Sequence, residues 1–301
     1  MQSLINYVKN PRLIGLGFVK KVAKFISNDK LYLQLRYYFE TGNWLNLKNP
    51  ETFNEKLNWL KLFNREPEYV LMVDKYAVKA YVAEQIGEKY VIPTYAVWDS
   101  PEEIDFGVLP DQFVLKTTHG GGGNGVLICR DKSTFDKELA IKKLSKAMHT
   151  DIYANYREWP YKGVPRKIIA EKYLVDESNV EMKDYKFFCF NGKVEFCKVD
   201  FGRFVEHHAN YYTPDWNILP FGESVCAPDL NQHIDRPSNL GTMLEVAEKL
   251  AKAIPFVRID LYNANGHVYF GEITFYPAGG MGKFIPESAD LEIGRLLKLP
   301  I

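Results

Sequence analysis

A glycine-rich stretch between two apolar runs is the first part of the chain whose residue types could do chemistry. Lys116 lies in the run 113–119, and a second apolar run, 126–129, follows the glycines. Without Cβ atoms, the backbone N–H groups of such a turn can close around an anion. Ordering so many glycines costs backbone entropy, which favours phosphate binding over a flexible hairpin with a solvated lysine. The predicted phosphate contacts are Lys116, His119, Gly120, Gly121, Gly122, Gly123, Asn124 and Gly125.

The order of elements around these glycines excludes the commonest phosphate loops. Gly120, Gly122 and Gly125 match G-x-G-x-x-G, but a dinucleotide fingerprint leads into a helix, and here a β-prone run follows. No G-K-[ST] occurs, which excludes a Walker loop. A protein kinase has its lysine after the glycines and an H-R-D motif; here Lys116 comes before them, and the D-F-G tripeptides at 105–107 and 200–202 have no H-R-D partner.

Composition sets the protein class. The 301 residues are 46% hydrophobic, which is enough for a sizeable core, and 38 basic residues balance 38 acidic ones. The zero net charge gives no electrostatic case for nucleic acid as a partner. The four cysteines form no C-x-x-C pair and lie mostly in apolar runs, which is typical of reduced core residues in a cytoplasmic protein.

The first part of the chain, residues 1–72, has helical periodicity. It starts with an apolar pattern at Leu4, Ile5 and Val8, and residues 52–55 form a capping box. A stripe made of Phe18, Val19, Val22, Phe25 and Ile26 runs beside Lys20, Lys21 and Lys24. Such a stripe is typical of a core-facing helix. The alternative is a basic amphipathic helix lying on an anionic membrane, at its inner face.

The second group with chemical potential is in the last predicted hairpin, residues 256–263 and 267–275. Period two puts Arg258 and Asp260 on one face, and Glu272 and Thr274 on one face of the next strand. A three-residue loop, 264–266, would pair 258 with 272 and bring all four side chains together, whereas a two-residue loop would split them. Two converging carboxylates need a cation, and Mg²⁺ prefers such oxygen ligands. The alternative is an exposed ladder of ion pairs.

These motifs, in this order, resemble the ATP-grasp superfamily, and most of all its TupA-like branch. The resemblance rests on the lysine strand with its glycine hairpin, on 74–75, 184–186 and 258–262, and on 271–275. It implies an α+β, ATP-grasp fold: two α+β lobes with ATP between them, preceded by a helical N-terminal segment. The implied division is 1–72 for that segment, 73–174 for the lobe with the glycine hairpin and 175–301 for the lobe with the metal-binding strands.

The resemblance also assigns roles to single residues. Arg258 and Lys186 are the implied catalytic residues, Mg²⁺ is the implied cofactor beside ATP, and Thr274 stands where the family has an asparagine. The implied metal ligands are Asp260, Glu272 and Thr274. The implied ATP contacts beyond the glycine hairpin are Lys75, Glu171, Lys172, Tyr173, Leu174, Asp184 and Lys186. The loop 277–282, with Gly279 and Gly280, is expected to touch the acceptor substrate.

The activity implied by the resemblance is an ATP-dependent carboxylate–amine ligase that forms an amide through an acyl phosphate. The branch implies surface-polysaccharide biosynthesis, with an amino acid as the amine and a uronic acid, free or linked to a nucleotide or glycan, as the carboxylate. One alternative is a kinase acting on a sugar hydroxyl. Another is a glycosyltransferase of the same pathway, although no D-x-D motif is present. A non-catalytic nucleotide-binding module is the third, and the Lys116, Arg258, Asp260 and Glu272 set argues against it.

Overall fold

Helices precede the first strand, and three antiparallel sheets follow, which confirms the predicted α+β class with a helical N-terminal segment. The structure, a computed structural model, describes residues 11–121, 123, 125–176, 182–202 and 206–300. The predictions for Leu4, Ile5, Val8, Gly122 and Asn124 lie outside these ranges. The described helices are α1 (Pro11–Lys21), α2 (Asp29–Thr41), α3 (Phe53–Phe63), α4 (Glu68–Val73), α5 (Val78–Ile86), α6 (Lys137–Met148), α7 (Ile152–Tyr156), α8 (Leu240–Leu250) and α9 (Ala289–Leu296).

The strands form two large sheets and one small one. One large sheet has four strands in the order β1-β4-β2-β3, another has five in the order β10-β9-β5-β6-β7, and β8 pairs with β11. The described strands are β1 (Thr94–Trp98), β2 (Phe113–Thr117), β3 (Val126–Cys129), β4 (Ile168–Lys172), β5 (Asp184–Phe190), β6 (Lys193–Phe201), β7 (His208–Tyr212), β8 (Gly222–Glu223), β9 (Phe256–Ala264), β10 (His267–Thr274) and β11 (Phe284–Ile285).

The larger core lies on the five-stranded sheet. Phe187 and Val257 from its strands are fully buried in the same cluster as Met243 of α8 and Leu57 of α3. Helices α3, α4 and α5 all contribute buried side chains to this same core. The division at residues 72 and 174 therefore remains a prediction, since the described helices 53–86 pack with strands from the far end of the chain.

Helix α3 begins where the sequence predicts. The hydroxyl of Thr52 accepts from the Glu55 backbone N–H at 3.2 Å, and the Glu55 carboxylate accepts from the Thr52 N–H at 3.1 Å. This reciprocal pair satisfies backbone donors that the first turn leaves free. The predicted capping box is confirmed.

The β9–β10 hairpin differs from its predicted register but keeps the predicted face. The loop has two residues, so His267 pairs with Ala264, and the expected pairing of 263 with 267 is wrong. A bulge at Gly271 then shifts the register by one residue, and Glu272 pairs with Asp260. A Cβ at Gly271 would lie 2.9 Å from the Asp260 carbonyl oxygen, which explains a glycine there. The bulge brings both carboxylates back to one side of the sheet.

Candidate active site

A cavity of about 860 Å³ lies between the glycine hairpin and the five-stranded sheet. Strands β5, β9 and β10 supply five of its charged side chains, and the β2–β3 turn supplies glycines. The predicted site residues that line it are Lys75, Lys116, Gly120, Gly121, Gly123, Asp184, Lys186, Arg258, Asp260, Glu272, Thr274 and Gly279. The described predicted residues outside that lining are His119, Gly125, Glu171, Lys172, Tyr173, Leu174 and Gly280.

Arg258 connects the three oxygen-bearing side chains on β9 and β10. Its guanidinium donates to both oxygens of Asp260, each at 2.6 Å. The same group reaches Glu272 Oε1 at 3.3 Å and Thr274 Oγ1 at 3.1 Å. The strand pairing positions these contacts, because Thr274 lies opposite Arg258 and Glu272 opposite Asp260. The structure thus brings together the four residues that the sequence grouped.

The two carboxylates differ in their proton affinity. Burial raises the pKa of Asp260 to about 6 even though Arg258 opposes this, and the negative charge of Asp184 adds to the rise. For Glu272, burial raises the pKa, but Lys75 and Arg258 outweigh burial and hold it at about 2. Lys75 Nζ lies 2.9 Å from Glu272 Oε2. The negative charge of Glu272 is therefore compensated by neighbouring cations, whereas that of Asp260 is compensated only in part.

That imbalance indicates a place for a cation. The donor set consists of Asp260, Glu272 and the hydroxyl of Thr274, all hard oxygens of the kind that Mg²⁺ binds. These three side chains lie together on one face of the β9–β10 hairpin, and burial keeps the pKa of Asp260 raised despite the contact with Arg258. These residues fit Mg²⁺, which would then add positive charge next to the ATP phosphates.

Lys186 lies on β5 directly opposite Asp260 on β9. Its ammonium lies 2.5 Å from Asp184 Oδ2 and also contacts Asp200 on β6. Burial lowers its pKa, but the surrounding carboxylates Asp184, Asp260 and Asp200 outweigh burial and raise it. Lys186 therefore remains charged in the cavity.

A buried carboxylate behind the glycine hairpin holds two lysines. Glu171 of β4 lies 2.5 Å from Lys116 Nζ and 2.6 Å from Lys79 Nζ. Burial raises the pKa of Glu171, but Lys116 and then Lys79 outweigh it and lower it overall. Glu171 thus acts on the described cavity through Lys116, while its predicted backbone contact with adenine, like those of Lys172, Tyr173 and Leu174, remains a prediction.

Lys79 was not predicted from the sequence. It lies on α5, where its ammonium also donates to the Ile92 carbonyl oxygen at 2.7 Å and to Thr94 Oγ1 at 2.6 Å. The available signal was a lysine one helical turn after Lys75, on a helix with Val78 and Val82 buried. Without the fold, that lysine could not be distinguished from a solvated one.

Two residues of the glycine stretch stand behind the cavity rather than in its lining. His119 is buried, and burial followed by the charge of Arg166 lowers its pKa. Gly125 has φ +80°, and a Cβ there would lie 2.7 Å from Thr117 Oγ1 and 2.8 Å from Ala147 Cβ. Both residues contribute to the packing of the hairpin on α6, and their predicted ATP contact remains a prediction.

The glycine loop after β10 is fixed from behind by α3. Asn58 donates to the Gly280 carbonyl oxygen at 2.7 Å, and Lys61 Nζ donates to the Gly279 carbonyl oxygen at 2.6 Å. Gly279 lines the cavity, but a Cβ on Gly280 would lie 3.0 Å from Asn58 Nδ2. Gly280 therefore faces the helix, and the expected substrate contact of Gly279 and Gly280 remains a prediction.

The cavity wall near this loop contains residues that the sequence did not single out. Glu158 and Tyr161 line it, and burial raises the pKa of Glu158 to about 7 against the charge of Lys61. Burial in turn lowers the pKa of Lys61 to about 7. Asn155 and Tyr156 also line the cavity.

Asp200, His207 and Cys226 lie together at the cavity's edge. His207 Nε2 is 2.9 Å from Asp200 Oδ1, and Cys226 Sγ is 3.3 Å from His207 Nδ1. Their possible ligand atoms lie within 4.8 Å of one another. Lys186 already occupies the other oxygen of Asp200, so a cation here would compete with an ammonium. Burial raises the pKa of Cys226, which further disfavours a thiolate ligand.

The lysine strand, the glycine hairpin and the paired carboxylates all border one cavity, as expected for an ATP-grasp protein. The family model described as TupA-like ATPgrasp matches residues 55–298. The chain belongs to that family, and the resemblance noted from the motifs is confirmed. No curated protein sequence matches the chain.

Solved structures similar to this chain include two D-alanine–D-alanine ligases. That of Helicobacter pylori is 16% identical, with a TM-score of 0.44, 82% of this chain covered and 69% of the other. That of Bacillus anthracis complexed with ATP is 16% identical, with a TM-score of 0.39, 68% of this chain covered and 54% of the other. A RimK domain protein ATP-grasp from Sphaerobacter thermophilus is 12% identical, with a TM-score of 0.42, 78% of this chain covered and 70% of the other.

Proposed function

We propose that the protein joins a carboxylate to an amine with ATP, through an acyl phosphate, and that it attaches an amino acid to a uronic acid in bacterial surface-polysaccharide biosynthesis. The observation that carries the reaction class is the contact of Arg258 with Asp260, Glu272 and Thr274 in one cavity. The substrate class rests on the family alone.

The first half-reaction transfers a phosphoryl group. An oxygen of the substrate carboxylate attacks the γ-phosphorus, the bond from that phosphorus to the β,γ-bridging oxygen breaks, and ADP leaves with the bonding electrons. Lys75, Lys116 and Lys186 offer positive charge in the cavity for the phosphate oxygens. Bound Mg²⁺ would supply further positive charge, held by Asp260, Glu272 and Thr274.

The second half-reaction forms the amide. The amine nitrogen attacks the acyl carbon, the carbon–oxygen bond to phosphate breaks, and inorganic phosphate leaves while the nitrogen loses a proton. Arg258 is charged at every working pH, because burial is outweighed by Asp260 and its pKa stays above its usual value. Such a fixed cation stabilises the oxyanion of the tetrahedral intermediate. Closure of the hairpin would exclude water, which otherwise hydrolyses the acyl phosphate.

We infer a cytoplasmic setting for this reaction, because ATP is supplied there. The four cysteines support such a setting, because all are free and buried and none forms a disulfide. The acceptor end of the cavity, with Glu158, Tyr161 and Gly279, is where we expect both organic substrates to meet. The glycine hairpin at the other end is where we expect the ATP phosphates.

The test is ADP release from ATP and Mg²⁺ with a panel of free and nucleotide-linked uronic acids, each with and without amino acids. A ligase should release ADP only with the right acid and should form a hydroxamate when hydroxylamine replaces the amine. Phosphorylated sugar without hydroxamate would identify a kinase. Transfer of sugar without any need for ATP would identify a glycosyltransferase.

Arg258→Lys is the matched variant for this assay. Lysine keeps the charge but loses the two-pronged contact with Asp260, so hydroxamate formation should fall by about tenfold or more while ATP still binds. Lys249→Gln on α8, at a residue outside the described cavity lining, is the control and should leave the rate unchanged. Equal rates for Arg258→Lys and the parent protein would remove Arg258 from the proposed role.

A further inference from the structure

A row of large apolar side chains on α1 and the turn after it lies in solvent. The exposed fraction is 58% for Ile14, 65% for Phe18 and 86% for Phe25. Ile14 and Phe18 are four residues apart and share one face of the helix. The sequence pattern predicted Phe18 and Phe25 in the core, and the structure corrects this expectation.

The exposure does not arise from a loosely attached helix. The opposite side of the same segment packs into the protein, with Val19 and Ala23 buried against Tyr32 of α2. Arg157 donates to the carbonyl oxygens of Ala23 and Ile26, each at 2.7 Å. The segment is therefore held in place by packing and hydrogen bonds, and its aromatic side chains are exposed to solvent.

The N-terminal part of the chain carries only basic charges. Residues 1–28 contain five basic residues and no acidic one, although the whole chain has 38 of each. Within the described part, Lys20, Lys21 and Lys24 lie next to the exposed aromatics and are themselves exposed. The five basic residues are Lys9, Arg12, Lys20, Lys21 and Lys24.

We propose that this surface, made of Ile14, Phe18, Phe25 and the lysines 20, 21 and 24, docks on an anionic lipid bilayer. The apolar side chains enter the boundary between headgroups and acyl chains, and the lysines bind lipid phosphates. A second copy of the chain fits less well, because a twofold contact through this face would set like charges against each other. Nucleic acid fits less well, because the aliphatic side chain of Ile14 does not stack on bases.

The contact would be peripheral. No helix among the described residues combines the length and the hydrophobicity needed to cross a bilayer. The docking surface lies in the N-terminal helices, whereas the described cavity lining begins at Lys75. Membrane docking and ligase chemistry therefore use different residues, and either proposal can fail without the other.

The experiment is co-sedimentation of the full chain with phosphatidylcholine vesicles, with and without phosphatidylglycerol. Binding should require the anionic lipid and should weaken as salt rises. Phe18→Ser with Phe25→Ser should weaken binding by about tenfold or more, since both rings leave the interface. Vesicle binding should weaken by about fivefold for each of the substitutions Lys20→Gln, Lys21→Gln and Lys24→Gln, and it should depend less on salt concentration.

Matched controls exist elsewhere on the surface. Val225 is 78% exposed, and Val225→Ser removes an apolar side chain of another region. Lys142→Gln, Lys143→Gln and Lys146→Gln remove three exposed lysines of α6. These controls should bind vesicles like the parent chain, and all variants should keep its melting temperature because every changed residue is exposed.

Four results would overturn the proposal. The first is that the chain does not bind anionic vesicles, and the second is that the control variants lose as much binding as the docking variants. The third is a dimer in light scattering that Phe18→Ser abolishes, in a chain that does not bind vesicles. The fourth is binding to a single-stranded oligonucleotide but not to vesicles. ADP release in solution should be the same for the docking variants and the parent chain, which separates this outcome from that of the ligase assay.

Discussion

Arg258 is the residue on which the charge balance of the cavity depends most directly. It contacts two carboxylates and one hydroxyl that come from both strands of one hairpin. Lys75, from an element before the first strand, adds a second cation to Glu272 but not to Asp260. A bound metal ion would therefore compete with Arg258 and Lys75 for Glu272, and at Asp260 with Arg258 and the nearby charge of Lys186. Substitutions at Glu272 and Thr274 should therefore distinguish the effect of a side chain's charge from the effect of its geometry as a metal ligand.

Glu272→Gln should reduce turnover by about a hundredfold while leaving the fold intact. The amide removes the negative charge that faces Lys75 and leaves one neutral oxygen, which is a weaker ligand for Mg²⁺ than a carboxylate. The measurement is ADP release against Mg²⁺ concentration, with thermal unfolding of the same sample. Glu195→Gln, at an exposed position of β6, is the matched control and should behave like the parent protein. Normal Mg²⁺ dependence in Glu272→Gln would remove this residue from the site.

Thr274→Asn should tighten Mg²⁺ binding. An amide oxygen is a better ligand than a hydroxyl, and an asparagine is what the family resemblance implies at this position. The hydroxyl now donates to Glu272 Oε1 at 3.2 Å, so Thr274→Val removes that contact at nearly constant shape. We expect the Mg²⁺ concentration for half-maximal ADP release to fall severalfold for the asparagine and to rise for the valine. The same value for all three proteins would mean that this side chain is not a ligand.

Glu158→Gln should stabilise the protein in a pH-dependent way. Burial raises the pKa of Glu158 from 4.5 to about 7, so between these values the folded state holds a proton that the unfolded chain has released. Stability contributed by this group therefore falls as pH rises from 4.5 to about 7. Lys61, whose pKa burial lowers to about 7, can release its own proton once its partner is gone.

The gain in melting temperature of Glu158→Gln over the parent protein should be smallest near pH 4.5 and complete above pH 7. The free-energy difference should amount to a few kcal/mol at most, because one pKa unit corresponds to about 1.4 kcal/mol. Thermal unfolding in a series of buffers measures it, with Glu195→Gln as the control. A gain that does not vary with pH would show that Glu158 titrates normally in the folded protein.

At the scale of elements, α3 determines the shape of the glycine loop that follows β10. Asn54, Asn58 and Lys61 follow one another along one side of the helix, and each donates to a carbonyl oxygen of the loop. The loop itself has left-handed backbone at Ala278, Gly279 and Gly280. Consecutive residues of that conformation persist only when their surroundings hold them, and here a helix from another part of the chain does so.

Gly280→Ala should destabilise the fold more than Gly266→Ala does. Both glycines have positive φ, +64° and +77°, so both substitutions carry a backbone cost of roughly 1 kcal/mol. Gly266 has open space around its missing Cβ, whereas the Cβ of an alanine at 280 would lie 3.0 Å from Asn58 and 3.2 Å from Leu57. Urea unfolding of the two variants measures the difference. Equal losses would mean that α3 does not confine the loop.

The hairpin β9–β10 shows how far the sequence could predict this site. Alternation along each strand correctly placed Arg258 with Asp260 and Glu272 with Thr274. The loop length was wrong, and a two-residue loop alone would have separated the pairs, but the bulge at Gly271 restores them. A glycine inside a strand pattern is the sequence signal for such a bulge, although its position in the register depends on the neighbouring strand.

Contacts between distant parts of the chain were beyond sequence reasoning. The pattern Phe18, Val19, Val22, Phe25 and Ile26 is the same for a core helix and for a surface one, and only α2 decides which side is buried. Likewise, the glycine stretch indicated an anion loop, whereas the contact of Lys116 with Glu171 depends on β2 pairing with β4. Local spacing predicts elements and faces, and packing decides which side chains meet.

At the scale of the whole molecule, the cavity is assembled from segments far apart in sequence. The glycine hairpin belongs to the four-stranded sheet, the carboxylates belong to the five-stranded sheet, and α3 supports the loop between them. The order of motifs implied an ATP-grasp fold. It did not predict that helices α3 to α5 would share the core of the sheet formed by the end of the chain. A ligand that contacts both sheets should therefore stabilise the molecule as a unit.

ATP with Mg²⁺ should raise the melting temperature by several degrees. A ligand that binds only the folded state stabilises it by mass action, by about 2.7 kcal/mol at a concentration of a hundred times its Kd. Lys116→Ala removes a cation from the cavity and leaves Glu171 with Lys79 alone, so the shift at the same ATP concentration should shrink. Lys146→Ala on α6 is the matched control and should keep the full shift.

The measurement is thermal unfolding with ATP, with ADP and with NAD, each with Mg²⁺. A shift produced by NAD and not by ATP would contradict a cavity built for ATP, because a dinucleotide would then be the ligand that bridges the two sheets.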